Sequence, residues 1–242
     1  MVSHKEHDSI YLGRGDEVKG GPVPYLAILR TPAIVGSFLA NIGGVLGFQI
    51  LFLFGPLYLN KVLHFEVTST GLATALPYVL SVLLKLIAGP LSDRTTCLSD
   101  RARILFFASV SQGFMAVCYL FLAMTTDAVL SQIMYTSAIV FSGLNVVGVF
   151  RGAQLVARQF TPFVLSVMNG IRCIVTLLLP PAMAYFTKEN THEQWSFIFY
   201  SAVVIIFSSN ILFVFSASAE AAPWTKSDYK KSKVSDIEDM KQ

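Results

Sequence analysis

Residues 34–58 read IVGSFLANIGGVLGFQILFLFGPLY and contain no Asp, Glu, Lys, Arg or His. A helix needs about 20 predominantly apolar residues to cross the roughly 30 Å of hydrocarbon in a bilayer. This stretch meets both the length and the composition. It therefore predicts a transmembrane helix, and the rest of the chain can be compared with it.

Five further stretches meet the same criterion, and short polar segments separate them. Hydrophobic residues make up 54% of the 242 residues and charged residues only 14%, more apolar surface than the core of a soluble domain needs. We therefore predict an all-α membrane protein with six transmembrane helices. The predicted spans are Ile34–Tyr58, Ser69–Leu91, Ile104–Met124, Val129–Phe150, Pro162–Phe186 and Ser196–Ala217.

The segments on either side of the six spans are polar. We expect residues 1–33 to form a cytoplasmic polar segment that ends in a short amphipathic approach to the first span. Residues 34–217 would form the transmembrane domain. Residues 218–242 are rich in lysines and carboxylates and contain too little apolar surface to bury a core, so we expect a disordered cytoplasmic tail.

Lysines and arginines concentrate on one side of the predicted spans. Such residues near span ends set the orientation of a membrane protein, with the positive side in the cytoplasm. The loops on the other side hold only Lys61 and Lys188. The pattern predicts that both termini are cytoplasmic. The positive residues on the predicted inner side are Lys5, Arg14, Lys19, Arg30, Arg94, Arg101, Arg103, Arg151, Arg158, Lys226, Lys230, Lys231, Lys233 and Lys241.

Charge and cysteine content exclude several functional classes. A net charge of +3, not gathered into one stripe, does not predict nucleic-acid binding. Cys97, Cys118 and Cys173 do not form an even, closely spaced framework for disulfides or a metal, so we predict neither a metal site nor a cofactor. The spans also contain no carboxylate and no histidine, and we therefore predict that the protein is not an enzyme.

Two ionisable residues fall inside the predicted spans, Lys85 and Arg172. Lys85 lies six residues before the end of its span, about 9 Å from the membrane edge, and its side chain is expected to extend to that edge. Arg172 lies ten residues into its span, about 15 Å deep, near the bilayer centre. A charge at that depth is costly and usually functional. Arg172 would contact an anionic substrate, play a structural role, or pair with a group from outside the chain.

Several amides are also placed to line a polar interior. Asn41 and Gln49 lie eight residues apart, within about a quarter turn of each other on one helix. Asn145 and Asn169 lie in the fourth and fifth spans. Together with Arg172 these residues form a candidate substrate path. Hydrogen bonding between helices uses the same residue types and is the alternative explanation for each of them.

The junction of the second and third spans carries a short recognisable motif. Gly89-x-x-x-Asp93-Arg94, followed by Arg101 and Arg103, resembles the cytoplasmic loop motif of the major facilitator superfamily, which implies a gating loop. The copy is loose, because Thr95-Thr96-Cys97 replaces more typical glycine and basic residues.

More specific motifs flank this junction. In order along the chain they are Pro56, Tyr58, Val62-Leu63-His64-Phe65, Gly71, Ala75, Pro77, Glu193, Trp195, Phe215, Ala217-Ser218, Glu220 and Pro223-Trp224. These ordered residues resemble the anion:cation symporter family. That family contains sialic-acid, vesicular glutamate and sodium-dependent phosphate type transporters.

This resemblance implies a twelve-span transporter made of two six-span halves, each built from two three-helix repeats. The chain would be the second half. It would act with a missing first half or a second copy, and move a small organic anion or inorganic phosphate, with possible Na⁺ or H⁺ coupling. The alternative is a truncated or regulatory half with no transport activity of its own.

Two positions depart from the family pattern. Relatives carry His and Asp between the positions of Asn145 and Arg158, whereas Val146–Ala157 contains neither residue. Relatives usually have a small residue at the position of Arg172. The resemblance therefore implies no role for Arg172.

Overall fold

A computed structural model describes residues 23–65, 67–94 and 99–225. The described residues are helical with short connections and contain no strand. The helices are α1 Tyr25–Arg30, α2 Pro32–Lys61, α3 Val67–Arg94, α4 Asp100–Met124, α5 Ala128–Ser142, α6 Arg151–Ala157, α7 Thr161–Phe186 and α8 His192–Ser216.

Helices α2 and α7 run in the same direction. Asn41 Nδ2 donates to the Met168 carbonyl at 3.0 Å, and Gln49 Nε2 donates to Thr176 Oγ1. Residue numbers rise together along the two helices, so they are parallel. Helix α8 is antiparallel to α2, because Gly36 faces Ser216 and Gly43 faces Ser209.

Similar paired contacts fix the direction of every other long helix. They show that α2, α4 and α7 run in one direction. Helices α3 and α8 run in the opposite direction, as does the segment from Ala128 to Ala157, which contains α5 and α6 and which we call the fourth crossing. The pairs are Ala40 with Gln112 and Gly47 with Tyr119 for α2 and α4, Gly55 with Tyr135 and Gly44 with Asn145 for α2 and the fourth crossing, and Ala73 with Gln132 and Gly143 with Lys85 for α3 and the fourth crossing.

Over the described ranges, the alternation yields six crossings, as the sequence predicts. By length and composition, five helical segments of the described chain are able to span a membrane, and one of them, Ala128–Phe186, has 59 residues. The chain reverses within that segment at Arg158, whose φ of 43° is in the left-handed region. The segment therefore contributes two antiparallel crossings.

The fourth crossing differs from its predicted bounds. The prediction ends it at Phe150, but a π-helical turn over Val146–Phe150 leads directly into α6, which continues to Ala157. Val156 is 2% exposed and Ala157 fully buried, so packing against the other helices extends the crossing. The prediction missed this because Arg151 looked like the start of a polar loop.

Small residues let α2 lie at the centre of the bundle. A methyl group added to Gly43 would lie 2.0 Å from Ser209 Oγ, and one added to Gly36 would lie 1.7 Å from Ser216 Oγ. Helices in lipid associate through such close van der Waals contacts, because lipid tails are as apolar as the side chains and provide no hydrophobic driving force between helices. The fold therefore depends on the glycines of the first predicted span.

The segment after α8, which we call the C-terminal strap (Ser218–Thr225), packs against the helix ends. Trp224 Nε1 donates to Thr31 Oγ1 at 2.8 Å, and the Ala222 N–H donates to the Val156 carbonyl at 3.1 Å. Trp224 is only 6% exposed. The expectation of disorder from residue 218 is therefore wrong for the strap, and residues 226–242 lie outside the described residues.

Candidate functional site

The α2–α7 contact brings three of the predicted site residues together. Asn41 binds the backbone four residues before Arg172, and Gln49 binds the side chain four residues after it. Four residues are about one helical turn, or 6 Å. The two amides on α2 therefore hold the turns of α7 on either side of Arg172, and Arg172 lies level with Val45.

Arg172 lies near the middle of the membrane domain. It is 11 residues from the start of α7 at Thr161, a rise of about 16 Å. The side chain is exposed, and no hydrogen bond or ion pair holds its guanidinium to another described residue. A guanidinium presents planar donors that match carboxylate and phosphate oxygens. At this position it can bind an anion that reaches the open face of the bundle.

The α7 residues around Arg172 form a polar stripe. Ser166, Asn169, Cys173 and Thr176 recur at spacings of three and four residues, which places them on one side of the helix. Asn169 is exposed, as a substrate contact requires. Thr176 Oγ1 both accepts from Gln49 and donates to the Arg172 carbonyl, at 2.8 Å in the second case. The stripe therefore extends from the buried contact between α2 and α7, which we call the α2–α7 seam, to the exposed surface of α7.

Asn41 has one further polar atom at this seam. Its side chain is fully buried, and Oδ1 has no hydrogen-bond partner among the described residues. An unsatisfied buried acceptor costs about 1–3 kcal/mol. A water molecule or a hydroxyl or amine of a ligand would satisfy it.

The face of α2 that carries Asn41 and Val45 also carries aromatic rings, one to two helical turns beyond Val45. Phe48 and Phe52 stack with centroids 5.5 Å apart, and Tyr78 of α3 meets Phe52 edge-on at 5.5 Å. Phe52 remains 47% exposed. This cluster of aromatic rings was not predicted from the sequence, because phenylalanines that face lipid produce the same apolar pattern. Their spacing with Asn41 and Val45 was the available clue.

Asn145 does not join this group. A methyl group added to Gly44 would lie 2.4 Å from its Nδ2, and Gln112 Nε2 donates to its Oδ1 at 3.5 Å. These contacts lie on the side of α2 that faces α4 and the fourth crossing. Asn145 is 9% exposed, so the structure gives it an interhelical packing position.

The predicted gating loop is described only in part. Gly89 lies in α3, and Arg101 and Arg103 lie in the first turn of α4, where Arg103 pairs with Asp100 three residues before it. Arg101 is exposed. The side chains of Asp93 and Arg94 lie outside the described residues, so the gating role of this loop stays a prediction.

Comparison with known proteins agrees with this architecture. The sequence profile of the Major Facilitator Superfamily matches residues 5–180. The chain is 26% identical over 217 residues to the uncharacterized transporter slc-17.2 of Caenorhabditis elegans, covering 87% of this chain and 44% of that protein. It is 23% identical to vesicular glutamate transporter 2.1 of Danio rerio, with 88% and 36% covered, and to vesicular glutamate transporter 1 of Bos taurus, with 84% and 37% covered.

The chain thus spans less than half the length of these relatives. The profile match covers most of the chain, and the relatives are transporters of the anion:cation symporter type that the ordered sequence matches predict. The six alternating apolar helices fit one half of such a transporter. The chain therefore belongs to the Major Facilitator Superfamily and, within it, resembles the anion:cation symporter family.

Proposed function

We propose that the chain is the C-terminal half of a secondary transporter for a small organic anion or inorganic phosphate, driven by an ion gradient. The observation that carries the proposal is Arg172. It is a mid-depth cation on an exposed face, and no described residue pairs with it. Two buried amides hold the adjacent turns of its helix.

The cost of placing an arginine at this depth favours a functional role. A charged residue at the centre of a membrane helix costs about 2.5–3.5 kcal/mol on insertion scales. The predicted spans contain no carboxylate that would neutralise it. An anion bound from a water-filled path supplies the missing negative charge each time the site is filled.

Transport would follow from rocking of this six-helix unit against a second one around a midplane site. The second unit is a missing first half or another copy of this chain, and the bilayer covers the remaining surface. Because the predicted spans lack carboxylates, a coupling Na⁺ or H⁺ would bind largely in the second unit. The excess of arginine at the ends of α1, α4 and α6 supports cytoplasmic termini.

Counterflow in proteoliposomes tests the proposal. Vesicles preloaded with each of a panel of unlabelled organic anions, or with phosphate, are given the same labelled anion, and uptake is followed over time. We expect accumulation of at least one labelled anion and a fall of about tenfold or more for Arg172→Gln, which removes a charged hydrogen-bond partner. Lys188→Gln is the matched control, since Lys188 lies just beyond the far end of α7, with its Nζ 5.3 Å from the centroid of the Tyr185 ring.

If Arg172→Gln retains the rate and affinity of the original chain while folded, Arg172 does not contact the substrate. If the unsubstituted chain binds anions but the vesicles accumulate none, a second candidate function applies. The chain would then be a truncated or regulatory half with no transport activity of its own. That candidate rests on the observation that the six crossings of the described chain fit one half of such a transporter. Co-reconstitution with a second six-helix unit would then be required for accumulation.

A further inference from the structure

We propose that Lys85 is a second cationic contact of the Arg172 site, and that the site takes an anion with two negative charges, a dicarboxylate or hydrogen phosphate. This inference rests on the proposed function and specifies the charge of its substrate. It also changes the expected position of Lys85, which the sequence places near the membrane edge.

The depth of Lys85 follows from the contacts of α3. A methyl group added to Gly143 would lie 3.1 Å from Lys85 Cε, so the lysine stem lies over the end of α5. Gln132 of α5 donates to the Ala73 carbonyl of α3 at 2.9 Å, which gives nearly the same offset in residue number and confirms the register. Lys85 therefore lies level with Gly143.

The fourth crossing relates this level to α2. Asn145 lies against Gly44, and Tyr135 lies against Gly55, so the two segments are antiparallel with a constant register. Gly143 is then opposite residues 46–47. The α2–α7 register places Arg172 opposite Val45, one to two residues away, or about 2–3 Å along the helix axis. Lys85 and Arg172 thus lie at nearly the same depth, near the middle of the 30-residue helix α2.

The helices that carry the two cations also flank the same face of α2. Lys85 and Tyr78 are seven residues apart and therefore lie on one side of α3. The Tyr78 ring touches Phe52, which shares a face of α2 with Asn41 and Val45. The Lys85 side chain extends from α3 along Gly143 of the fourth crossing, and Arg172 lies on α7, which packs against the α2 face that carries Asn41. Packed helices lie 8–10 Å apart, so the α3 and α7 axes are within about 20 Å of each other.

Neither cation is neutralised within the described part of the chain. Lys85 is exposed, and its ammonium has no hydrogen bond or ion pair with a described residue. Two uncompensated charges at one depth repel each other and are each costly in hydrocarbon. An anion with a double negative charge offsets both costs, whereas a monoanion leaves one positive charge uncompensated.

Binding to the purified 242-residue chain in nanodiscs tests the inference by calorimetry. The probes are succinate, butyrate and inorganic phosphate at pH 7.4. Succinate and butyrate have the same number of carbons and differ by one carboxylate. We expect Lys85→Met to raise the Kd of succinate about tenfold and to leave that of butyrate within about twofold. Lys85→Arg should keep succinate binding, because the charge is retained.

Arg172→Met should weaken both carboxylates, and Lys188→Met, which removes a cation outside the site, should weaken neither. If Lys85→Met raises the Kd of phosphate alone, the ligand is hydrogen phosphate. If it raises the Kd of succinate, the ligand is a dicarboxylate. Equal effects of Lys85→Met on succinate and butyrate, or no effect on any probe, would overturn the inference while leaving the proposed function intact. If the original chain binds none of the probes, the proposed anion function fails as well.

Discussion

At the scale of single residues, the seam between α2 and α7 depends on a short chain of hydrogen bonds. Gln49 donates to Thr176, and Thr176 donates to the carbonyl of Arg172. Gln49 is therefore a positioning residue, since it holds the turn that carries the guanidinium. The Asn41 side chain fixes the preceding turn of α7 in the same way, because it donates to the Met168 carbonyl.

A double-mutant cycle of Gln49→Leu and Thr176→Val measures this contact. Interhelical hydrogen bonds in membranes contribute about 0.6 kcal/mol on average, and we expect a coupling of that order in the free energy of unfolding in mixed detergent. The Kd of an anion bound at the proposed Arg172 site should also rise a few-fold in Gln49→Leu. Strictly additive effects of the two substitutions would show that the amide and the hydroxyl do not interact.

At the scale of secondary structure, the π-helical turn of the fourth crossing is held against α4 by one close backbone approach. A methyl group added to Gly148 would lie 2.4 Å from the backbone nitrogen of Ala108. A backbone atom cannot rotate away as a side chain can. The two crossings must therefore separate before any larger residue fits.

We expect Gly148→Ala to destabilise the folded chain by about 1–3 kcal/mol, the usual cost of overpacking. Gly113 in the middle of α4 is the matched control, because a methyl group added there meets nothing within 4 Å. Gly113→Ala should be neutral or stabilising by up to about 1 kcal/mol, since alanine favours helix. Equal unfolding midpoints for the two variants would contradict the close approach.

Much of this architecture could be predicted at the same scale. The lengths of apolar stretches predict the six crossings, and a residue count places Arg172 at mid-depth. A count could not place Lys85, because it measures distance from a predicted span end. Helix α3 continues to Arg94, and its level is set by contacts with the fourth crossing that no local pattern encodes. Nor could composition predict the strap, since its anchor is one tryptophan in a polar segment.

At the scale of the whole molecule, the strap joins parts that are distant in sequence. Trp224 contacts Thr31 before α2 and the Phe160 ring at the turn before α7, with centroids 5.6 Å apart. Gln159 Nε2 also donates to the Thr225 carbonyl at 2.9 Å. These contacts connect the first, fourth, fifth and sixth crossings at one end of the bundle.

Replacing Trp224 should therefore destabilise the whole unit. We expect Trp224→Ala to cost about 3–5 kcal/mol, as for other buried aromatic side chains, and Trp224→Phe about 1 kcal/mol for the lost hydrogen bond. Phe215→Ala is the matched control, because Phe215 lies near the same end of α8 and is 82% exposed. Thermal unfolding followed by light scattering provides the measurement. A melting temperature for Trp224→Ala equal to that of the control would show that the strap does not stabilise the bundle.

The left-handed turn at Arg158 has a mechanical consequence when it is considered with the strap. The chain reverses there between two crossings, and the strap ties both sides of the reversal to the ends of the first and last helices. Individual helices cannot splay at this end without breaking those ties. If the chain transports as proposed, labels attached near Arg30 and Arg158 should keep a constant separation when substrate is added, and access at this end of the bundle would open by displacement of the entire six-helix unit.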